Sequence, residues 1–168
     1  MKNLLLLFLL LSAMPSFAQS CDSVNTTNKD KFTDRVSIMT KRNVDCTGNV
    51  PGTGLRFVFT KVDNDLYFQA VMAAKSLGCL DETSKFYFIF DDGSKQNAAN
   101  MNDFNCKGQA WIRFAGGKGF KPLQEAFSTK LIRSVRLDAR EEHVEVDVDE
   151  ADAKLLRESF NCLKQTFR

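Results

Sequence analysis

The stretch LRFVFTKVDNDLYFQAVMAAKSLG, Leu55 to Gly78, decides between two kinds of fold. Read with a period of two, Leu55, Phe57 and Phe59 share one face. A tight turn at Asp63-Asn64 then sets Phe59 opposite Phe68, Phe57 opposite Ala70 and Leu55 opposite Met72, so every apolar partner lies on the same side of a hairpin. Read with a helical period, YFQAVMAAKSLG has an alanine-rich centre and Gly78 as its stop. Residues 65–77 are therefore expected as a strand, with a helix as the competing reading.

The surrounding sequence keeps the period of two. RVSIMT (35–40) alternates Val36, Ile38 and Thr40 against Ser37 and Met39, and DCTGNVPGTG (45–54) is rich in turn formers. In KFYFIFDDGSK (85–95), Phe86, Phe88 and Phe90 oppose Tyr87 and Ile89, so this strand is apolar on both faces and belongs at the centre of a sheet. Asp92 and Gly93 fit the centre of a type I′ turn, with positive φ at both, returning the chain as SKQNAANM (94–101). An apolar strand ending in Asp91 and Asp92 also resembles the haloacid dehalogenase motif, Asp-x-Asp-Gly-Thr. Here the spacer is missing and no repeating βαβ pattern follows to build a parallel sheet, so the pair reads as a turn.

QAWIRFA (109–115) sets Ala110, Ile112 and Phe114 against Trp111 and Arg113. GGKGFKP (116–122) lacks the spacing of a phosphate-binding G-x-x-x-x-G-K-[ST] loop and is read as a mobile connection. PLQEAF (122–127) makes a short helix with Leu123 and Phe127 one turn apart. LIRSVRLD (131–138) and HVEVDVD (143–149) form a hairpin that matches Asp138 with His143, Leu137 with Val144 and Val135 with Val146, with Arg136–Glu145 and Ser134–Asp147 on the solvent side. His143, the single histidine, sits beside a carboxylate with no nucleophile tied to it by motif, and reads as an exposed pair. The acidic ladder Glu145, Asp147 and Asp149 lacks the ligand spacing of a calcium loop. Asp149 caps a closing helix whose apolar stripe is Ala153, Leu156, Phe160, Leu163 and Phe167.

The first 18 residues form an export signal: Lys2, an apolar run from Leu4 to Leu11, and Ser16-Phe17-Ala18 before the cut. That run is too short to span a bilayer, and no later stretch qualifies. Removing the signal leaves 22 basic residues against 21 acidic ones, too balanced for a nucleic-acid binder or an anionic-membrane binder. Five cysteines remain, Cys21, Cys46, Cys79, Cys106 and Cys162. Their wide spacing without C-x-x-C points to disulfides rather than zinc or a redox centre. Two bridges are expected among Cys46, Cys79, Cys106 and Cys162, in a pairing the sequence leaves open. Cys21 is left over in a polar tail, residues 19–31, that is expected to be flexible. A cysteine just past an export signal resembles the start of a lipoprotein, but Ala18-Gln19-Ser20 departs from the residues usual before a lipidated cysteine, so a free or intermolecular thiol is the main reading and a lipid anchor the alternative. Asn25-Thr26-Thr27 fits a glycosylation acceptor.

The fold expected is α+β: an antiparallel sheet or sandwich of about seven strands with a C-terminal helix packed on it, in one domain over 32–168. No catalytic, cofactor or metal-ligating residue is assigned. The function expected is a secreted or periplasmic, non-catalytic module binding an extracytoplasmic protein, glycan or small ligand. The alternative is a carboxylate-dependent hydrolase using Asp91, Asp92 or the Glu145–Asp149 ladder, which needs two carboxyls about 5 to 9 Å apart across a cleft.

Overall fold

The computed structural model describes residues 21–63, 65–73, 78–114 and 120–165. The expected export signal, residues 74–77 of the disputed stretch, most of the glycine-rich connection and Phe167 lie outside them. The rest is an α+β sandwich: ten strands in two antiparallel sheets, more than the seven or so expected, with two α-helices packed against them.

The first sheet is ordered β1 (Asn25–Lys29), β2 (Val36–Thr40), β4 (Gly54–Val62), β5 (Asp65–Met72), β8 (Gln109–Arg113), and β3 (Val44–Thr47) also pairs with β4. The second is ordered β10 (His143–Asp147), β9 (Ile132–Asp138), β6 (Lys85–Phe90), β7 (Lys95–Ala99). Residues 65–72 are strand, paired as Phe59↔Phe68, Phe57↔Ala70 and Leu55↔Met72. The helical reading fails because the strand register buries Phe68, Ala70 and Met72 together against β4, whereas a helix would have turned Ala70 away from Phe68 and Met72. The β9–β10 hairpin has the expected register throughout, and β6 is central, paired with both β7 and β9.

Phenylalanines fill the space between the sheets. Phe57, Phe59 and Phe68 from one sheet and Phe86, Phe88 and Phe90 from the other are fully buried. Helix α1 (Lys121–Thr129) drives Phe127 into their midst, with ring centroids 5.1–5.9 Å from Phe59, Phe68, Phe88, Phe90, Phe114 and Phe160. Edge and tilted contacts of this kind add roughly 0.5–1.5 kcal/mol per pair beyond burial. Helix α2 (Glu150–Gln165) starts as expected, the Asp152 N–H donating to the Asp149 carboxylate at 2.8 Å, and buries Ala153, Leu156, Phe160 and Leu163.

The amino-terminal segment departs from expectation. Its polar composition suggested a flexible tail, yet β1 pairs along its whole length with β2, and Val24 and Asn25 are buried. Cys21 is bridged to Cys162 on α2, Cys79 is bridged to Cys106, and Cys46 is the free thiol. The expected leftover was wrong because composition says nothing about what a polar segment is stapled to. A sulfur in that bridge has no valence for a lipid thioether. Ser159 of α2 donates to Asn25 Oδ1 at 2.6 Å and lies 2.9 Å from the Thr40 hydroxyl, which in turn accepts the Phe59 N–H. Since the one Ser159 proton goes to Asn25, the Thr40 hydroxyl is the donor on that side, its proton lying between Ser159 Oγ at 2.9 Å and the Phe59 carbonyl at 3.4 Å. Asn25, only 8% exposed, therefore has no room for a glycan. Half-burial and the carboxylates of Asp152, Asp149, Asp45 and Asp147 push the Cys46 thiol up to about 11, leaving it chemically inert at neutral pH. Among the described residues no helix is long and apolar enough to cross a membrane.

Candidate interaction surface

Most of the carboxylates singled out in the sequence are spent on structure. At the β6–β7 turn the Phe90 carbonyl accepts the Gly93 N–H at 2.9 Å, and the Phe90 N–H donates to Ser94 O at 3.0 Å. Gly93 has φ 78°, while Asp92 stays out of the left-handed region. The turn is thus a three-residue loop closed by a glycine bulge, not the expected type I′ turn, because one left-handed residue suffices when the loop holds three. Asp92 accepts both the Ser94 N–H and its hydroxyl, and pairs with Lys130 Nζ at 2.7 Å. The Lys130 hydrogen bond, followed by those of Ser94, holds the Asp92 carboxyl well below the usual range. Asp91 Oδ1 accepts the Leu131 N–H at 3.2 Å. Asp91 and Asp147 line one surface groove of about 630 Å³ together with Glu150, but the Asp147 carboxylate accepts the Ser134 hydroxyl. Glu145 faces a neighbouring groove of about 430 Å³, His143 stands exposed opposite Asp138 at the hairpin end, and Asp149 caps α2. Among the described residues no three His, Cys, Asp or Glu side chains gather as a metal site.

A different region has the organisation of a site. After β7 the chain runs NMNDFNCKG, residues 100–108, and three asparagines fix it. Asn100, only 4% exposed, donates from Nδ2 to the carbonyls of Asp81 and Asn102. Its Oδ1 accepts the N–H groups of Asn102 and Trp111 at 3.1 and 3.0 Å. Asn105 repeats the device: Oδ1 accepts the Lys107 and Gln109 N–H groups, and Nδ2 donates to the carbonyls of Asp103 and Gln109. Asn102 Nδ2 adds a second bond to Gln109 O. Leu80 and Asn105 exchange both backbone bonds, and the Cys79–Cys106 bridge lies alongside. Gly108, at φ 70°, brings the backbone against β5, where its carbonyl accepts the Met72 N–H. A Cβ there would sit 3.1 Å from that of Met72.

With its backbone satisfied from within, this loop turns its apolar side chains outward. Met101 is 52% and Phe104 59% exposed. The Met101 N–H donates to Trp111 O at 2.9 Å, so the loop lies along the free edge of β8. Trp111, 36% exposed, stands on the outer face of that strand, and its ring meets Tyr67 edge-on at 6.1 Å. Beside them is a cleft of about 220 Å³ lined by Arg35, Val62, Asp63, Asp65, Tyr67, Gln69 and Trp111. Two ion pairs close its rim, Arg35–Asp63 at 3.0 Å and Arg113–Asp65 at 2.8 Å. Tyr67 donates its hydroxyl to Asp65, and burial together with that carboxylate raises its pKa.

The sequence reading missed this surface because it took residues 94–101 as a returning strand; β7 stops at Ala99. The available signal was three asparagines within six residues ahead of a cysteine, since asparagine side chains bond the backbone two residues on. Compared with known proteins, the chain matches no protein family, no curated protein and no solved structure.

Proposed function

We propose that the protein is an extracytoplasmic, non-catalytic binding module that engages its ligand through the asparagine-pinned loop and the Trp111 face of the first sheet. One observation carries this reading: a loop whose backbone is held by three asparagines and a neighbouring disulfide, yet which displays Met101 and Phe104 to solvent. Exposed apolar side chains on a flexible loop would lose much of their contact energy to ordering on binding. On a preorganised loop that cost is already met by folding. Tryptophan, tyrosine, methionine and arginine are also the residue types enriched at the centres of binding surfaces. Two disulfides fit an oxidising compartment, secreted or periplasmic.

The test is affinity capture from the native extracytoplasmic fraction with three immobilised proteins: the mature chain, a Met101→Asp/Phe104→Asp variant, and a Tyr87→Ala variant on the other sheet. Ligand should be retained by the first and third and lost by the second, with melting temperatures unchanged by the acidic substitutions. Retention by the loop variant equal to that of the mature chain would overturn the assignment.

A further inference from the structure

We infer that the cleft between Tyr67, Gln69 and Trp111 is a subsite for one uncharged pyranose ring, a proposal that rests on the binding-module reading and names its ligand class. Three features of the cleft carry it. First, the two aromatic rings meet at 71°, so they offer no parallel slot in which a flat aromatic ligand could be sandwiched. They offer instead two aromatic walls set at an angle. A pyranose suits that shape, having C–H bonds on its faces and hydroxyls around its rim.

Second, the rim supplies planar groups of both hydrogen-bonding senses. The Gln69 amide donates and accepts, the Arg35 guanidinium donates, and the Asp63 and Asp65 carboxylates accept. A sugar hydroxyl, at once donor and acceptor, matches such a mixed set better than a phosphate or an ammonium group. Third, the charges cancel locally: Asp63 is paired with Arg35, and Asp65 with Arg113. An anionic or cationic ligand would meet a partner of its own sign beside each opposite charge, whereas a neutral one leaves both pairs undisturbed. These pairs also hold the rim groups in place before the ligand arrives.

Trp111 is the only tryptophan in the chain, so tryptophan-selective emission comes from a residue that lines this cleft. The mature protein would be titrated with cellotetraose, maltotetraose, xylotetraose and N,N′,N″,N‴-tetraacetylchitotetraose, and with tetragalacturonate as the charged counterpart. At least one neutral tetrasaccharide should give a saturable change in Trp111 emission, and Gln69→Ala should weaken it at least tenfold without altering the melting temperature. Should that variant melt early, Trp111→Ala, followed by calorimetry because its reporter is gone, should show the same loss. Silence with all four neutral sugars, or saturation with tetragalacturonate alone, would overturn the inference. If the sugars fail while the Met101→Asp/Phe104→Asp variant still loses its captured ligand, the sugar assignment falls and the binding-module reading stands.

Discussion

Two loops of this protein solve the same backbone problem with opposite results at the surface. The Asp91–Gly93 turn and the 100–108 loop both use Asx side chains to accept backbone N–H groups. In the turn the apolar neighbour, Phe90, points into the core, and the polar groups are carboxylates, of which Asp92 is paired with Lys130 and Asp91 accepts the Leu131 N–H. In the longer loop the pinning groups are neutral amides, one of them buried, and the apolar residues point out. A turn built only to reverse a strand has no use for exposed phenylalanine. Rigidity combined with outward apolar display is what distinguishes a presenting loop from a connecting one.

Substitutions can break that contrast, beginning with the most damaging. Asn100→Ala removes four hydrogen bonds and leaves the Asn102 and Trp111 N–H groups without their acceptor, while the Asp81 carbonyl keeps the Ser84 N–H. At about 1–3 kcal/mol for each buried group left unsatisfied, the loss should be about 3 kcal/mol in chemical denaturation, and ligand capture should fall with it. Gly93→Val forces a β-branched residue to φ 78°. It should cost about 1–2 kcal/mol, visible as a lower melting temperature, but leave capture intact, because the turn presents nothing.

Asp92→Asn should be the mildest. Asparagine still accepts from Ser94 and loses only an exposed ion pair, so at neutral pH the change in melting temperature should be the smallest of the three. Its sign with pH is fixed. The folded carboxyl titrates below its ordinary value, so whatever stability it adds is present above about pH 4 and is lost as pH falls through the folded value. The gap between wild type and Asp92→Asn in thermal melts should therefore be greatest near neutrality and close in acid. A gap that widens in acid would contradict the assigned ion pair.

Much of the sandwich was legible because it rests on periodicity. The registers of β4–β5 and β9–β10 follow from which residues must share a buried face. The amino-terminal strand was not legible: Val24 and Asn25 owe their burial to partners far along the chain, Ser159 and the Cys21–Cys162 bridge. The same holds for the cleft, whose rim joins Arg35, Asp63 and Asp65 to Trp111 only after β5 and β8 pair. Cysteine spacing left the connectivity open, and the choice of Cys21 as the odd residue reversed once α2 was seen to lie against it.

The central claim is that the 100–108 loop is rigid before anything binds it. Amide hydrogen exchange on the free mature protein tests this most directly, through the Asn102, Lys107, Gln109 and Trp111 N–H groups, each of which donates to an asparagine side chain. The account predicts exchange slowed on the order of 100-fold or more relative to an unstructured peptide, with the protection lost in Asn100→Ala at Asn102 and Trp111. Exchange of all four at the unprotected rate in the wild-type protein would contradict it.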